Sequence, residues 1–322
     1  MTSINLSAFA LIEPEEPFCF YYPSWLNTWE SHLYNQSLKS TGAQSWCFKR
    51  FGCDSALYAR EMIRKPACTP YLEALEQAAD SALQQLAAKE RMRLLRSRTA
   101  FIYVDAWGES GLFEHVASAL QVAMIDTLPK NLLKKFSVNA FTCKVRGERF
   151  AFMQALTLAQ DYLLWALFDF VVICAGWRAI PLLVFSAAQQ TASASRNPAQ
   201  INFAVERTGC FILSRQEGGL RVNVGGYRAP ADPAPSEGGT ADINVLAGLD
   251  CYRPPRDGAA SAAETISLSA MYGDSGCLAP ALGWIYLQQR AAAATLRVLL
   301  PDAAGGCHYF DTWDASFTAK EA

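Results

Sequence analysis

Apolar positions in this chain form two kinds of run, one with helical spacing and one with strand spacing, and the clearest examples follow each other directly. From Gly147 to about Phe168, residues Phe152, Ala155, Leu156, Ala159, Leu163 and Ala166 recur at the interval of a helix face. Phe170–Ala175 is then a continuous apolar run of strand length, rich in β-branched residues, as expected of a strand buried on both faces. Ahead of the helix, Phe136–Cys143 alternates loosely like a short strand. Strand, turn, helix and parallel strand make a βαβ unit, whose crossover is right-handed. Its turn, Cys143–Arg149, is where such a unit can present a nucleophile at a helix N-terminus.

The same patterns extend outward. Residues 1–68 read as an irregular arm crowded with aromatics, among them Phe18, Phe20, Tyr21, Tyr22, Trp25 and Trp29. Pro70–Lys89 carries Leu72, Leu75, Ala78, Ala79, Ala82, Leu83 and Leu86 at helical spacing, with Thr69 as its cap. Arg98–Ala106 reads as a buried strand, and Gly111–Leu128 as a second helix carrying His115. Ala187–Gln200 is polar, small and Pro-containing, a linker between two halves, 1–195 and 196–322. Beyond it, Ile201–Ser214 ends in an apolar strand that Leu220–Tyr227 can pair with. Residues 229–241 have the composition of a surface loop. Ile243–Leu249 is a short strand, Ser267–Gly283 leads into a small-residue helix reaching Ala294, and Leu296–Leu300 is the last core strand. Pro301–Phe310 reads as a loop holding Gly305 and Gly306.

Composition narrows the function classes. A chain of 322 residues with 51% hydrophobic residues can bury a large core. A formal charge of −2 offers no electrostatic case for nucleic acid. The ten Cys show no paired C-x-x-C spacing and only three His are present, so we expect reduced cytoplasmic thiols and no metal site. The N-terminus lacks a basic region before its apolar residues, unlike a secretory signal. Asp161, Asp169 and Arg178 interrupt the most apolar region, so no membrane span is expected.

The central stretch resembles the thiolase superfamily, and within it the β-ketoacyl synthases. The small residues Ala155 and Ala159, followed by Leu163, match the family's buried helix, and Asp169 precedes the next strand FVVICAG as it does there. Glu206, Gly209 and the FIL run resemble the turn that opens the family's second half, and Gly305-Gly306 its late Gly-Gly loop. The resemblance implies an α/β fold of the thiolase-like kind, duplicated, with five αβαβα layers. It also implies a nucleophile ahead of the central helix. Laid on the pattern without gaps, that position falls on Arg149, beside Glu148; with a few extra residues in the turn it falls on Cys143. The family's first His position corresponds to the strand end Leu249-Asp250-Cys251-Tyr252 and its second to Gly273-Asp274, so both imidazoles are replaced. His308, after Gly305-Gly306, is the one His near a loop that faces the site in the family.

Two functional expectations follow from the resemblance. One is a subunit of fatty-acid or polyketide-type acyl-chain biosynthesis that no longer condenses. It would pair with an active ketosynthase, or with itself, and meet acyl carrier protein or acyl-CoA, with no cofactor. The other is a working enzyme, an acyltransferase or an atypical condensing enzyme, in which Cys143 is the acyl-accepting nucleophile and His308 and Asp274 handle protons. Lys144, Arg146 and Arg149 lie close to Cys143 in sequence, a setting that would lower a thiol pKa, unless Cys143 is an inert strand end and the basic residues are solvated.

Overall fold

The computed structural model describes residues 3–23, 27–52, 69–106, 130–138, 140–146, 149–189, 200–216, 218–229, 241–248, 264–290, 294–302 and 305–314. The chain opens with β1 (Ile4–Ile12), β2 (Cys19–Phe20), α1 (Thr28–Thr41) and β3 (Ser45–Lys49). Then come α2 (Thr69–Gln85), α3 (Ala88–Arg96), β4 (Thr99–Ala106), α4 (Lys130–Lys135), β5 (Phe141–Arg146), α5 (Ala151–Leu164) and β6 (Phe170–Trp177). α6 (Pro181–Gln189), β7 (Ile201–Val205) and β8 (Arg207–Ser214) follow. The rest is β9 (Leu220–Arg228), β10 (Ile243–Leu246), β11 (Glu264–Ser267), α7 (Leu268–Tyr272), a 3₁₀ turn (Gly276–Ala281), α8 (Leu282–Gln289), β12 (Leu296–Pro301) and β13 (Cys307–Asp314).

The strand order shows an internal duplication. Ten strands form one sheet in the order β11-β10-β12-β13-β9-β1-β8-β6-β4-β5. Read outward from the β1/β9 seam, each half places its first strand at the seam and its last strand antiparallel beside it. Three parallel strands complete each half, β6-β4-β5 on one side and β12-β10-β11 on the other. The seam itself is a short antiparallel pairing of Ile4, Asn5 and Leu6 with Val222, Arg221 and Leu220. The chain passes from one set to the other in the 215–219 turn, after β8 has returned to the first. A second, three-stranded sheet, β2-β3-β7, stands apart.

Period-two alternation sorts the first half's side chains between two helical layers. Phe101, Tyr103, Val172, Cys174, Cys210 and Ile212 point to the outer face and pack with Leu75, Ala78, Ala79 and Ala82 of α2. The alanines present little bulk, so helix and sheet approach closely. Ile102, Val104, Ile173, Ala175, Phe211 and Leu213 point inward, where α5, the 3₁₀ turn and α8 separate the two sheet halves. Phe211 meets Phe9, Phe152 and Trp284 at ring-centroid distances of 6.4, 4.8 and 5.4 Å. On the far face of the second half Asn244, Leu246, Arg297 and Leu299 are half-buried, and the segment joining β10 to β11 lies outside the described residues.

Several expectations are corrected here. Residues 1–52 are not an irregular arm, because β1 is a buried strand at the seam. The strand expected at Phe136–Cys143 begins only at Phe141 and continues to Arg146. α4 uses the preceding residues, and its exit turn, with Ser137 at φ 52°, returns Val138 N–H to the Leu133 carbonyl. The central helix is shorter than expected, since Ala166 takes φ 57° and ends it. Leu296–Leu300 is followed by a further strand, β13, so Cys307–Phe310 is not loop. The expected helix Gly111–Leu128, with His115, lies outside the described residues.

Phe211→Ala should cost about 3–5 kcal/mol, the range for emptying a buried aromatic site. A urea unfolding midpoint close to that of the parent would refute this account of how the halves are held together.

Candidate functional site

The duplication fixes where a site can form. After β5 the chain turns through Arg149 and Phe150 into α5; after β11 it runs through α7 and Asp274 into the 3₁₀ turn and α8. These are equivalent places in the two halves, and both helices lie in the central layer. Arg149 is half-buried, and its Nη2 donates to the Ala247 carbonyl at the end of β10, 3.5 Å away. Gly248, the next residue, has φ +115°, and a Cβ there would lie 2.5 Å from Arg149 Nη2. Only glycine lets the guanidinium sit against that backbone. The Gly248 carbonyl also accepts the Ser269 hydroxyl from α7.

Asp274 is buried on the other side of this junction. Its Oδ1 accepts the Gly276 N–H at 3.2 Å, and its own N–H donates to Phe203 of β7 at 2.7 Å. Burial pushes its carboxyl above the usual carboxylate range, against the pull of Arg149, the Gly276 and Ser275 amides and Arg207. Arg207 is itself buried, and desolvation holds its pKa down. Its guanidinium donates to Ser275 Oγ, to the Tyr272 carbonyl at 2.7 Å and to Glu13 at 2.9 Å. One carboxyl thus lies in the field of two guanidiniums, one from each side. Arg207 went unnoticed in the sequence; its position directly after Glu206 was the available signal. Glu206, wholly buried, accepts Arg50 Nε and Arg178 Nε at 3.2 Å each and the Phe51 N–H at 2.9 Å. It is a structural clasp between β3, β8 and the start of α6.

His308 lies near the same helix start, on β13 rather than in the loop expected for it. Its ring stands 4.9 Å from Phe150 and 5.2 Å from Tyr227, and burial lowers its pKa while Asp302 opposes the shift. Gly305, at φ +86°, and Gly306 form a tight turn in which Asp302 Oδ1 accepts the Gly306 N–H at 2.8 Å. Asp302 Oδ2 also accepts the Tyr227 hydroxyl, at 2.6 Å.

Cys143 is elsewhere. It sits inside β5 opposite Ile102, three residues before the strand ends, about 10 Å of extended chain short of the turn expected to hold it. Its side chain shares the inner face with Val145 and lies near Tyr162, toward the far end of α5. Lys144 points to the opposite face, over the Tyr103 ring at 5.6 Å. The basic neighbours in sequence are therefore not neighbours of the thiol, and burial raises the Cys143 pKa. Cys277 and Cys307 are buried, and no group of metal-ligating side chains occurs among the described residues. Glu148, Asp250 and Cys251 lie outside the described residues.

The assembled groups are a permanent cation, a buried carboxyl and backbone carbonyls. An arginine keeps its proton at any physiological pH and cannot attack a thioester. Asp274 can donate a hydrogen bond as a protonated imidazole does only while it holds its own proton.

Sequence comparison finds no matching family model and no curated relative. Structural comparison shows the fold. A ketosynthase in the AntDE:AntF complex, a type II PKS acyl-carrier protein in complex with its ketosynthase bound to the hexaketide, matches at TM-score 0.57 and 12% identity, covering 97% of this chain and 99% of that one. Xanthomonas campestris OleA bound with cerulenin matches at TM-score 0.54 and 9% identity, covering 97% and 96%. A further OleA variant gives TM-score 0.51 at 9% identity, covering 97% and 98%. The chain has the thiolase fold that the sequence resemblance implied.

The raised pKa of Asp274 has a signed consequence. The folded chain holds this proton more tightly than the unfolded one, so the carboxyl contributes most stability below its unfolded value and loses it as pH rises through the folded one. Asp274→Asn keeps the shape and removes the titration. Its thermal midpoint should equal or exceed the parent's near pH 8, and the difference should shrink toward about pH 4. A variant that melts earlier than the parent at the higher pH would show that the two guanidiniums outweigh desolvation.

Proposed function

We propose that this chain is a ketosynthase-like subunit of fatty-acid or polyketide-type acyl-chain biosynthesis that does not itself condense. It would act in the cytoplasm beside an active ketosynthase. The observation that carries this reading is Arg149. It stands just before the central helix, where the gapless form of the family resemblance puts the nucleophile, and its side chain closes on the Ala247 carbonyl and the field of Asp274. The two positions that hold imidazoles in the family are Asp274 and the strand end at 249–252. The structural neighbours support the acyl-chain setting, since one is a ketosynthase seen with its acyl-carrier protein.

An edge supports the partnered role. β5 is the last strand of the ten-stranded sheet on its side, with β4 on one flank and no strand on the other among the described residues. A sheet edge is a place where another chain can add a strand. The partner is either an active ketosynthase or a second copy of this chain.

The competing reading, acyl transfer through Cys143 with His308 and Asp274 as proton carriers, needs a reactive thiol close to both. The raised pKa and the mid-strand position of Cys143 weigh against it.

The test is intact-mass analysis after incubation with acyl-CoA, acylated carrier protein or cerulenin. The parent chain should gain no adduct. An Arg149→Cys variant puts a thiol at a helix N-terminus, a position that lowers its pKa, and should gain the cerulenin mass at that position. An acyl adduct on the parent that disappears in Cys143→Ala would replace this proposal with the acyltransferase reading.

A further inference from the structure

The small sheet β2-β3-β7 has one face in the core and one facing out. Inward, Trp46, Phe48 and Ala204 are fully buried. Outward, the register puts Phe20, Cys47 and Phe203 in one row. Phe18 and Phe203 meet edge to face at 5.2 Å yet remain 46% and 38% exposed, and Met271 of α7 beside them is 53% exposed. Such residues ordinarily go inside. Here they surround a cavity of about 340 Å³ between the sheet, the start of β8 and α7, with Lys49, Glu13 and Arg207 on its wall. That volume lies at the lower end of the roughly 300–1,000 Å³ of small-molecule sites.

The polar wall is unbalanced. It holds two cations and one carboxylate, and Glu13 is already shared between them: one oxygen accepts Lys49 at 3.2 Å and the other Arg207 at 2.9 Å. Arg207 directs its remaining contacts to Ser275 and the Tyr272 carbonyl. Lys49 has three donors and makes one hydrogen bond among the described residues; its ammonium otherwise lies 5.8 Å from the Phe18 ring centre. The cavity therefore offers an apolar floor, an ammonium with donors to spare and a net positive wall.

We propose that this cavity binds a small amphiphilic carboxylate, its chain between the Phe18–Phe203 pair and Met271 and its head on Lys49. A charge-assisted hydrogen bond then supplies orientation, and apolar burial supplies most of the affinity. The cavity adjoins the Arg149 junction, sharing Arg207 with the surroundings of Asp274, and it does not depend on the proposed role in acyl-chain synthesis.

Titration calorimetry on the full chain with decanoate, decanol, decylamine and decanoyl-pantetheine tests it. Decanoate should bind saturably at one site per chain and more tightly than the other three. Lys49→Met should weaken decanoate about tenfold and leave decanol unchanged. Phe203→Asp should abolish binding of both, with the thermal midpoint recorded to show that each variant folds. Preference for decylamine would make Glu13 the head-group partner and overturn the proposal. Preference for decanoyl-pantetheine would overturn it by showing an opening for a carrier arm. No saturable binding, or equal binding of all four probes that ignores both variants, would likewise end it.

Discussion

The structure depends on aromatic packing between two sheet halves that touch directly only along three residues of β1 and β9. Phe152 of α5 and Trp284 of α8 come from equivalent helices of the duplicated halves, and their rings stand 5.9 Å apart. Phe9 and Phe211 close the cluster from the first sheet half, and Phe310 closes it from the second, 5.3 Å from Trp284. Each such pair adds about 0.5–1.5 kcal/mol beyond its buried area. More important than the sum is the geometry, because stiff rings in a dense interior fix the helices against each other. The helix starts are fixed with them, and these carry Arg149 and Asp274.

That placement makes the junction a meeting of charges. A carboxyl taken out of water loses solvation that only close charges and donors restore. Asp274 receives two backbone amides and the fields of Arg149 and Arg207, yet its pKa still lies above normal, so desolvation is not fully offset. Arg207 is likewise penalised by its own burial, which Glu13 offsets only in part. The loop Tyr272–Gly276 thus lies in the field of charges from the ten-stranded sheet, while its backbone pairs with β7 of the small sheet through the Ala204–Asp274 bridge.

Much of this was legible in the sequence. The helical spacing through Phe152, Ala155, Leu156, Ala159 and Leu163 marks the residues that are buried in α5, and the FVVICA run marks β6. Periodicity reads burial well when one element is buried on a continuous face. It failed where polar residues occupy sheet positions. β1 carries Asn5 and Ser7, and β13 carries Asp311, which is accommodated because Arg297 of β12 binds it bidentately at 2.7 and 2.9 Å. The candidate site suffered differently. Proximity in sequence brought Cys143 together with Lys144 and Arg146, but a strand sends successive side chains to opposite faces. Once β5 extends to Arg146, the thiol and Lys144 are on opposite faces of the sheet. The strand's late start follows a positive-φ turn at Ser137 that no periodicity reveals.

Arg149 and Asp274 also depend on each other electrostatically. A neutral or thiol side chain in its place would deprive Asp274 of a cation that now lowers its pKa, and the carboxyl would move further toward its protonated form. An imidazole in place of Asp274 would instead bring a second potential cation to the Arg149 guanidinium, within a buried pocket already lined by Arg207. Cation at the helix start and carboxyl at the facing loop therefore favour each other across the junction between the halves.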